Sequence, residues 1–309
     1  MKNKAINMNR SPRFARDDNN KPLISVIMPV YNAQDFLVQA IESILSQTFR
    51  DFEFIIVDDA STDTSWQIIS RYQKKFPNKI TAVRLEKNRN NGGDSCANEA
   101  FKRAKGNFIA RMDADDVSLP YRLEKQLAYM RKNPDVILLG TQAFVIDHDG
   151  AITGEKREPV QDAIIRQDYF MYHPIIHPSV MIRRSLLPKR DKLYQIVYSA
   201  NNDLLTFFEL LKYGKFANLS EKLLHYRIHG KNDSLTNPKE RFMNTLKIRW
   251  YAWRTLNIKP TVKAIGINLV QIAAVVLLPS SLITRLYMIW KGLSNKQQKQ
   301  LASVAPSYA

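Results

Sequence analysis

The chain has 309 residues and a mass of 35.7 kDa, enough for one large domain or two small ones. With 45% hydrophobic and 24% charged residues it is not a disordered chain, and 10 Gly and one Cys exclude collagen-like and disulfide-built folds. A formal charge of +17 favours polyanionic partners, whether nucleic acid, anionic lipid or phosphorylated substrates.

Residues 1–22 carry +4 and hold no apolar run of signal-peptide length, so they read as a flexible basic leader in the cytosol. Strand-like and helix-like patterns then alternate. ISVIM (24–28) is a short apolar run of the kind a buried parallel strand needs. Phe36, Leu37, Ala40, Ile41, Ile44 and Leu45 recur at helical spacing. FEFIIV (52–57) predicts a second strand, and Ser61-Thr62-Asp63 offers N-cap chemistry to a helix with Trp66, Ile69, Tyr72 and Phe76 on its apolar side. ITAVRL (80–85) predicts a third strand, a helix follows over about 94–105 with Gly106 as its stop, and NFIARM (107–112) predicts a fourth strand. This βαβαβαβ order calls for an α/β fold, a mostly parallel sheet flanked by helices. A helix over 121–132, VILLGT (136–141), short strands and loops over 142–200, a helix over 203–213 closed by Gly214, and the alternating HYRIH (225–229) complete the regular part. The lone Cys96 makes no internal disulfide, suits a reducing compartment, and reads as a small packing residue.

Residues 237–263 carry +6 and residues 264–309 carry +4, which leaves only +3 for residues 23–236. A nucleic-acid enzyme concentrates positive charge around its working cleft, so this distribution argues against a nucleic-acid partner. Basic flanks around an apolar segment fit an anionic membrane surface. Residues 264–284 hold no charge over 21 positions, a length that spans a bilayer. Asn268, Gln271, Pro279 and Ser280-Ser281 weaken a span, so an interfacial or re-entrant helix, a true span and a packing helix all stay open. The division is a leader (1–22), a main domain (23–236, a first half to about 120 and a second half from about 121) and a helical, partly apolar C-terminal tail (237–309).

Acids at strand ends are the most informative feature. Ligands of open α/β sheets bind outside the carboxyl ends of the strands. Pro29-Val30-Tyr31-Asn32 follows the first strand, Asp58-Asp59 the second, and Asp113-Ala114-Asp115-Asp116 the fourth. Carboxylates gathered at one rim repel unless a cation compensates, and hard oxygen ligands suit Mg²⁺ or Mn²⁺. Each acidic motif alone also reads as a helix cap or turn.

The segment PLISVIMPVYNAQDFLVQAIESILSQTFRDFEFIIVDDASTD, with ARMDADD, HPSVMIRR and LLHYRIHG, resembles the family 2 glycosyltransferases over about residues 22–235. The resemblance implies a glycosyltransferase-A fold, a nucleotide-sugar donor (a UDP-sugar), a divalent metal (Mg²⁺ or Mn²⁺) and inversion at the anomeric carbon. By that resemblance Pro29, Val30 and Tyr31 line the base pocket, and Asp59 accepts a base N–H with Asp58 nearby. Asn90, Asp113 and Ala114 approach the donor, and Asp115 with Asp113 holds the metal. Arg227 and His229 alternate along one face of a strand and are placed either to reach the diphosphate or to make structural contacts to the chain below. Asp203 takes the acceptor proton. Two positions depart from the family pattern: Ala97 stands where an Arg is usual, and Asn202 where a Glu precedes the catalytic Asp. His177-Pro178-Ser179 resembles a loop near the acceptor. His173 and His177 are four apart, but Pro174 and Pro178 argue against a zinc-binding helix. Arg249-Trp250 has Leu246 where a Gln-x-x-Arg-Trp motif needs Gln, which argues against a processive synthase.

The reading is an inverting, metal-dependent glycosyltransferase of hexosyl or N-acetylhexosaminyl type. It sits in the cytoplasm, peripheral or monotopic on the inner membrane face, and acts on a lipid-linked or glycan acceptor in surface polysaccharide assembly. A nucleotidyl transferase and a non-catalytic nucleotide-sugar binder are the alternatives. The first leaves the Asp203 segment unused, and intact Asp113, Asp115 and Asp203 count against the second.

Overall fold

The computed structural model describes residues 21–89, 91, 93–229, 237–279 and 282–283. Most of the basic leader, Asn90 and residues 284–309 lie outside the described residues. The elements in chain order are β1 (Ile24–Val30), α1 (Leu37–Leu45), β2 (Phe52–Asp58), α2 (Ser65–Lys75), β3 (Ile80–Arg84), α3 (Asp94–Arg103), β4 (Phe108–Arg111) and β5 (Val117–Ser118). There follow α4 (Arg122–Lys132), β6 (Val136–Ile146), β7 (Ile152–Lys156), α5 (Asp162–Asp168), β8 (Met181–Arg183), α6 (Asn202–Leu210), β9 (Lys215–Arg227), α7 (Pro238–Arg254) and α8 (Val262–Leu277).

One sheet runs β3-β2-β1-β4-β8-β6-β9-β5, with β7 paired beside β6. β1 pairs in parallel with both β2 and β4, β2 with β3, and β6 with β9. β8 is antiparallel to β4 and β6, and β5 and β7 are antiparallel to their neighbours. The parallel core is as the alternation in sequence requires. β8 was not legible because its three residues, Met181–Arg183, are too short to show a period.

Both sheet faces are buried, and the pleat sorts side chains between them. Val26, Met28, Phe54 and Ile56 face a core with Leu37, Ile41 and Ile44 of α1, Ile69 of α2, and Leu123 and Leu127 of α4. Ile27, Ile55 and Val57 face a second core with Cys96 and Ala100 of α3 and Phe207 and Phe208 of α6. Ile248 and Ala252 of α7 and Ala264 of α8 belong to this second core, and all three are fully buried. The described part of the C-terminal segment is thus packed on the domain. Among the described residues no helix is long and apolar enough to cross a membrane.

Two glycines act otherwise than the sequence suggests. The helix before Gly106 ends at Arg103, and a Cβ at Gly106 would lie 2.5 Å from the Ser25 nitrogen. Gly106 is small so that the entry to β4 can press on β1. A Cβ at Gly214 would meet the Asp135 oxygen at 2.8 Å, so it permits close approach rather than capping α6. HYRIH is not a separate strand: its first three residues close the 13-residue β9, and His229 lies just beyond.

Candidate active site

The carboxyl ends of β1, β2 and β4 open on one cavity of about 1430 Å³. Where β1 and β2 end it is lined by Pro29, Val30, Tyr31 and Asp59. Tyr31 is half exposed, as a ring free to stack on a ligand must be. The loops after β1 and β2 are stitched together. Asn32 sits at φ 46° and its side-chain oxygen accepts from Thr62 N at 2.9 Å. Ser61 Oγ accepts from Asn32 N, Ser65 Oγ from Ala33 N, and Asp63 from both Gln34 N and Ser65 N. The N-cap of α2 is Thr64, not the predicted triplet, and makes no side-chain cap bond; Ser61-Thr62-Asp63 instead ties the two loops together and fixes Tyr31 relative to Asp59. The Asp59 carboxylate accepts from Arg89 N at 3.1 Å. Burial raises its pKa, while that N–H and the Cys96 thiol work against the rise. Cys96 is a fully buried packing residue as expected, and its thiol pKa is raised, chiefly by burial.

Asp58 lies differently from the expectation. It is fully buried and absent from the cavity wall; its carboxylate accepts from Ser61 N at 3.1 Å and pairs with Arg84 at 3.3 Å. Its geometry is that of a turn cap beneath the site. Arg227 also departs from its expected place at a diphosphate. It is 2% exposed and its guanidinium donates to the carbonyls of Asp115, Asp147 and His148 and to Gln39. Its backbone N–H is taken by Asp116 at 2.8 Å. The bonds to Asp115 and Asp116 hold the Asp113–Asp116 loop from behind, and those to Asp147, His148 and Gln39 tie it to the neighbouring elements, so Arg227 is a strut for that loop. His229, two residues on, does reach the cavity, with Nε2 at 3.0 Å from Asp115 Oδ2.

Asp113, Ala114 and Asp115 line the middle of the cavity. Arg111, buried at the end of β4, donates from Nε to Asp113 at 2.8 Å. Burial opposes ionisation of Asp113, but the Arg111 guanidinium outweighs it and holds the carboxyl below its usual range. Arg111 was missed from sequence because, placed inside an apolar strand run, it looked like the run's one blemish. Its side chain passes close to Gly93, which sits at φ 82° against Pro29, where a Cβ would be 2.9 Å from the proline ring. Ala97 is one helical turn beyond Gly93. The guanidinium therefore enters the neighbourhood of the position whose usual Arg is absent. Arg122, fully buried in α4, donates to Arg111 O at 2.9 Å and Pro178 O at 3.0 Å, tying β4 to the His177–Ser179 turn.

Asp203 opens α6 and faces the cavity. Its Oδ2 lies 3.4 Å from His173 Nε2 and 3.7 Å from His177 Nδ1, and Oδ1 accepts from Leu204 N at 2.8 Å. Burial works to raise the pKa, but the two histidines and that N–H more than offset it, so Asp203 lies well below the carboxylate range. Burial, reinforced by Arg111, pushes His177 down to about 4, so its ring is neutral at pH 7. Its Nε2 meets Tyr194 Oη at 2.7 Å. Asn202 is fully buried: Oδ1 accepts from Val197 N and Tyr198 N, and Nδ2 donates to Tyr198 O. A carboxylate accepts only; the amide both accepts and donates, which is why Asn suits this position. Asp94, at the start of α3, was not singled out from sequence. It is 6% exposed, lines the cavity, and receives a hydrogen bond from Asn202; burial and then Asp203 raise its pKa to about 8.

Among the described residues no three His, Cys, Asp or Glu side chains converge on one metal position. Mg²⁺ and Mn²⁺ accept one or two protein ligands when a diphosphate and water complete the shell. Asp115, its side chain 27% exposed on the cavity wall with the His229 ring beside it, is placed where it could serve as one such ligand.

The comparisons with known proteins follow this geometry. Residues 25–190 match the family Glycosyl transferase family 2. An uncharacterised glycosyltransferase of Methanocaldococcus jannaschii is 37% identical over 237 residues, 75% of this chain and 80% of that protein. The O-antigen biosynthesis glycosyltransferase WbnJ of Escherichia coli is 34% identical over 212 residues, 68% of this chain and 81% of that one. The crystal structure of S. aureus TarS with UDP-GlcNAc superposes with a TM-score of 0.62 at 20% identity, covering 91% of this chain and 78% of that one. The mannosyltransferase PcManGT of Pyrobaculum calidifontis, with GDP-Man and Mn²⁺, gives 0.55 at 15% identity, covering 95% and 87%. At these identities the two structures speak for the fold alone.

Proposed function

Since the chain belongs to glycosyltransferase family 2, we propose that it moves a sugar, with inversion, from a nucleotide-diphosphate donor to an acceptor hydroxyl in surface polysaccharide assembly. The observation that carries this reading is the convergence, in one cavity, of Tyr31 and Asp59 at one end, Asp113 and Asp115 in the middle and ionised Asp203 beyond. The nucleoside sits at Pro29, Val30 and Tyr31, with the Tyr31 ring on the base and Asp59 accepting a base N–H; a UDP-sugar matches the notional imide partner. Asn90 belongs to the same pocket by resemblance and lies outside the described residues.

Asp115 with His229, and Asp113 behind its Arg111 pair, would hold Mg²⁺ or Mn²⁺. When bound, the ion neutralises charge on the departing diphosphate. Arg111 adds a fixed positive charge close to the same group and stands in for the Arg missing at Ala97. Asp203 receives the proton of the acceptor hydroxyl as the oxygen bonds to the anomeric carbon. Its low pKa keeps it ionised and so free of a proton of its own before the acceptor hydroxyl arrives. His173 and His177 fix the carboxylate's direction. Two proteins of the same fold are bound to nucleotide sugars, TarS to UDP-GlcNAc and the mannosyltransferase PcManGT to GDP-Man, which fits a nucleotide-sugar donor carrying a hexosyl or N-acetylhexosaminyl group.

Membrane attachment at the inner face fits α8. Val262, Leu269, Val270, Val276 and Leu277 are each more than 60% exposed on it, and Trp250 and Trp253 are exposed on α7. α7 carries five basic residues and one acidic. Aliphatic and indole groups beside Lys and Arg suit the headgroup region. The experiment that tests the activity is a panel of UDP- and GDP-sugars, read as thermal stabilisation and as divalent-ion-dependent hydrolysis. Stabilisation by one donor, with hydrolysis that needs the ion, is the expected result. No response to any donor would remove the reading.

A further inference from the structure

The cavity does not end at Asp203. It continues along α7, where Arg241, Phe242, Thr245 and Arg249 line it, and along α8, where Ile267, Gln271, Ala274, Val275 and Leu278 do. The α7 stripe begins at the catalytic loop, because Asn201 Nδ2 donates to Arg241 O at 2.8 Å and to Thr245 Oγ1 at 2.9 Å. Arg249 lies eight residues beyond Arg241, about 12 Å along the helix.

Arg249 is 6% exposed. Its Nη1 donates to Asn268 Oδ1 at 2.8 Å and Gln271 Oε1 at 3.1 Å, and its Nε has no acceptor among the described residues. Both amides are aimed by their own bonds, Asn268 Nδ2 to Phe170 O and Gln271 Nε2 to Met171 O. No described carboxylate pairs with this guanidinium. Burial alone pulls its pKa down to about 10, so it remains cationic at neutral pH. Residues 264–309 contain no acid that would serve. Arg111 has Asp113, Arg190 has Glu209, and Arg227 is wrapped in acceptors beside Asp116; Arg122 also lacks a carboxylate, but it is held by the Arg111 and Pro178 carbonyls and does not line the cavity, as Arg249 does. An isolated buried cation costs several kcal/mol unless paired, and this one lines the wall of a substrate cavity.

The counter-ion is therefore sought in a ligand. The donor diphosphate belongs at Asp113–Asp115, on the opposite side of Asp203 from Arg249, so the anion belongs to the acceptor. Next to Arg249 the wall is aliphatic, formed by Ile267, Ala274, Val275 and Leu278 of the helix whose outer face exposes further aliphatic side chains. We propose that Arg249 binds the phosphate of a lipid-phosphate-linked acceptor, with the hydrocarbon chain along the inner face of α8 and the acceptor sugar toward Asp203. This rests on the transfer reading above and names the acceptor's class. Arg241 and Lys263, also on the cavity wall, add positive charge along the same route.

The test is calorimetric titration of the full-length protein with dodecyl phosphate, inorganic pyrophosphate and the neutral dodecyl maltoside, each below its micelle concentration. Two variants accompany the wild type. Arg249→Gln removes the charge, and Gln271→Glu supplies an internal carboxylate 3.1 Å from it. The wild type should bind dodecyl phosphate at least about tenfold more tightly than either probe alone, the scale of one charge-assisted hydrogen bond. Both variants should lose that preference while binding the donor nucleotide as the wild type does. Gln271→Glu should also raise the thermal midpoint. Unchanged dodecyl phosphate affinity in both variants, or equal affinity of the wild type for dodecyl maltoside, would overturn the anion site. Pyrophosphate binding as tightly as dodecyl phosphate would overturn the lipid part. Donor nucleotide binding is the separate readout: its absence in the wild type removes the transfer reading, whereas its presence without alkyl phosphate binding removes this inference alone.

Discussion

Asp94→Asn should stabilise the protein, and more so as the pH rises. Asp94 is 6% exposed, and burial with the nearby Asp203 charge lifts its pKa from 3.8 to about 8. Below pH 3.8 the group is protonated in both folded and unfolded chains and costs nothing. Between 3.8 and 8 the folded chain keeps a proton that the unfolded chain releases, so stability falls with pH by about 1.4 kcal/mol per unit. At pH 7 the accumulated loss is about 4 kcal/mol, and above the folded pKa it levels off. An Asn amide fills the same space without that loss. Urea unfolding of wild type and variant at pH 5, 6, 7 and 8 measures it. The two stability curves should diverge with rising pH, the variant being the more stable at pH 8. Parallel curves, or a variant less stable at pH 8, would refute the argument that Asp94 is a protonated buried acid.

Removal of the divalent ion should stop turnover without unfolding the chain. EDTA on the wild type and Asp115→Asn in the presence of Mn²⁺ should both abolish donor hydrolysis while circular dichroism is unchanged; full turnover in EDTA would rule out the ion's part. Membrane attachment is best tested on the surface of α8, since Ile248, Ala252 and Ala264 are core residues and cutting the chain at Asn237 would expose that core. The wild type should sediment with anionic vesicles, and Val270→Asn with Leu277→Asn should weaken this severalfold. Salt should loosen attachment only in part, because it screens the charge contribution of about 1 kcal/mol per basic residue and leaves apolar burial. Sedimentation indifferent to both substitutions would place the contact elsewhere.

The strands and helices that carry the Tyr31–Asp59 end of the cavity were legible because each buries a continuous or periodic apolar set, and the strand-end motifs follow from where such strands stop. Asp113, Asp115 and Tyr31 could be placed on one rim from order alone. What sequence order does not carry is the direction of a side chain at a strand end. Asp58 and Asp59 are adjacent, yet the pleat sends one into the turn and the other to the cavity. Arg227 and His229 were read as one face of a strand, but β9 stops at Arg227, and the chain beyond sends only His229 forward. The His173–Asp203–His177 group joins residues about 30 apart through a stretch without regular periodicity, so no local pattern foretells it. Arg249 and Gln271 meet only because α8 folds back on α7. The Asn202 departure became intelligible once its amide was seen to hold Val197 and Tyr198.

The central claim is that Asp203 is the base of a sugar transfer and not a part of the donor pocket. Single-turnover transfer to the accepted substrate, measured beside donor affinity for wild type and Asp203→Asn, tests it most directly. Donor affinity should stay within about twofold of wild type while the transfer rate falls by roughly 10²–10⁴, the usual scale of general-base catalysis. Loss of donor affinity in step with the rate, or transfer at the wild-type rate, would contradict it.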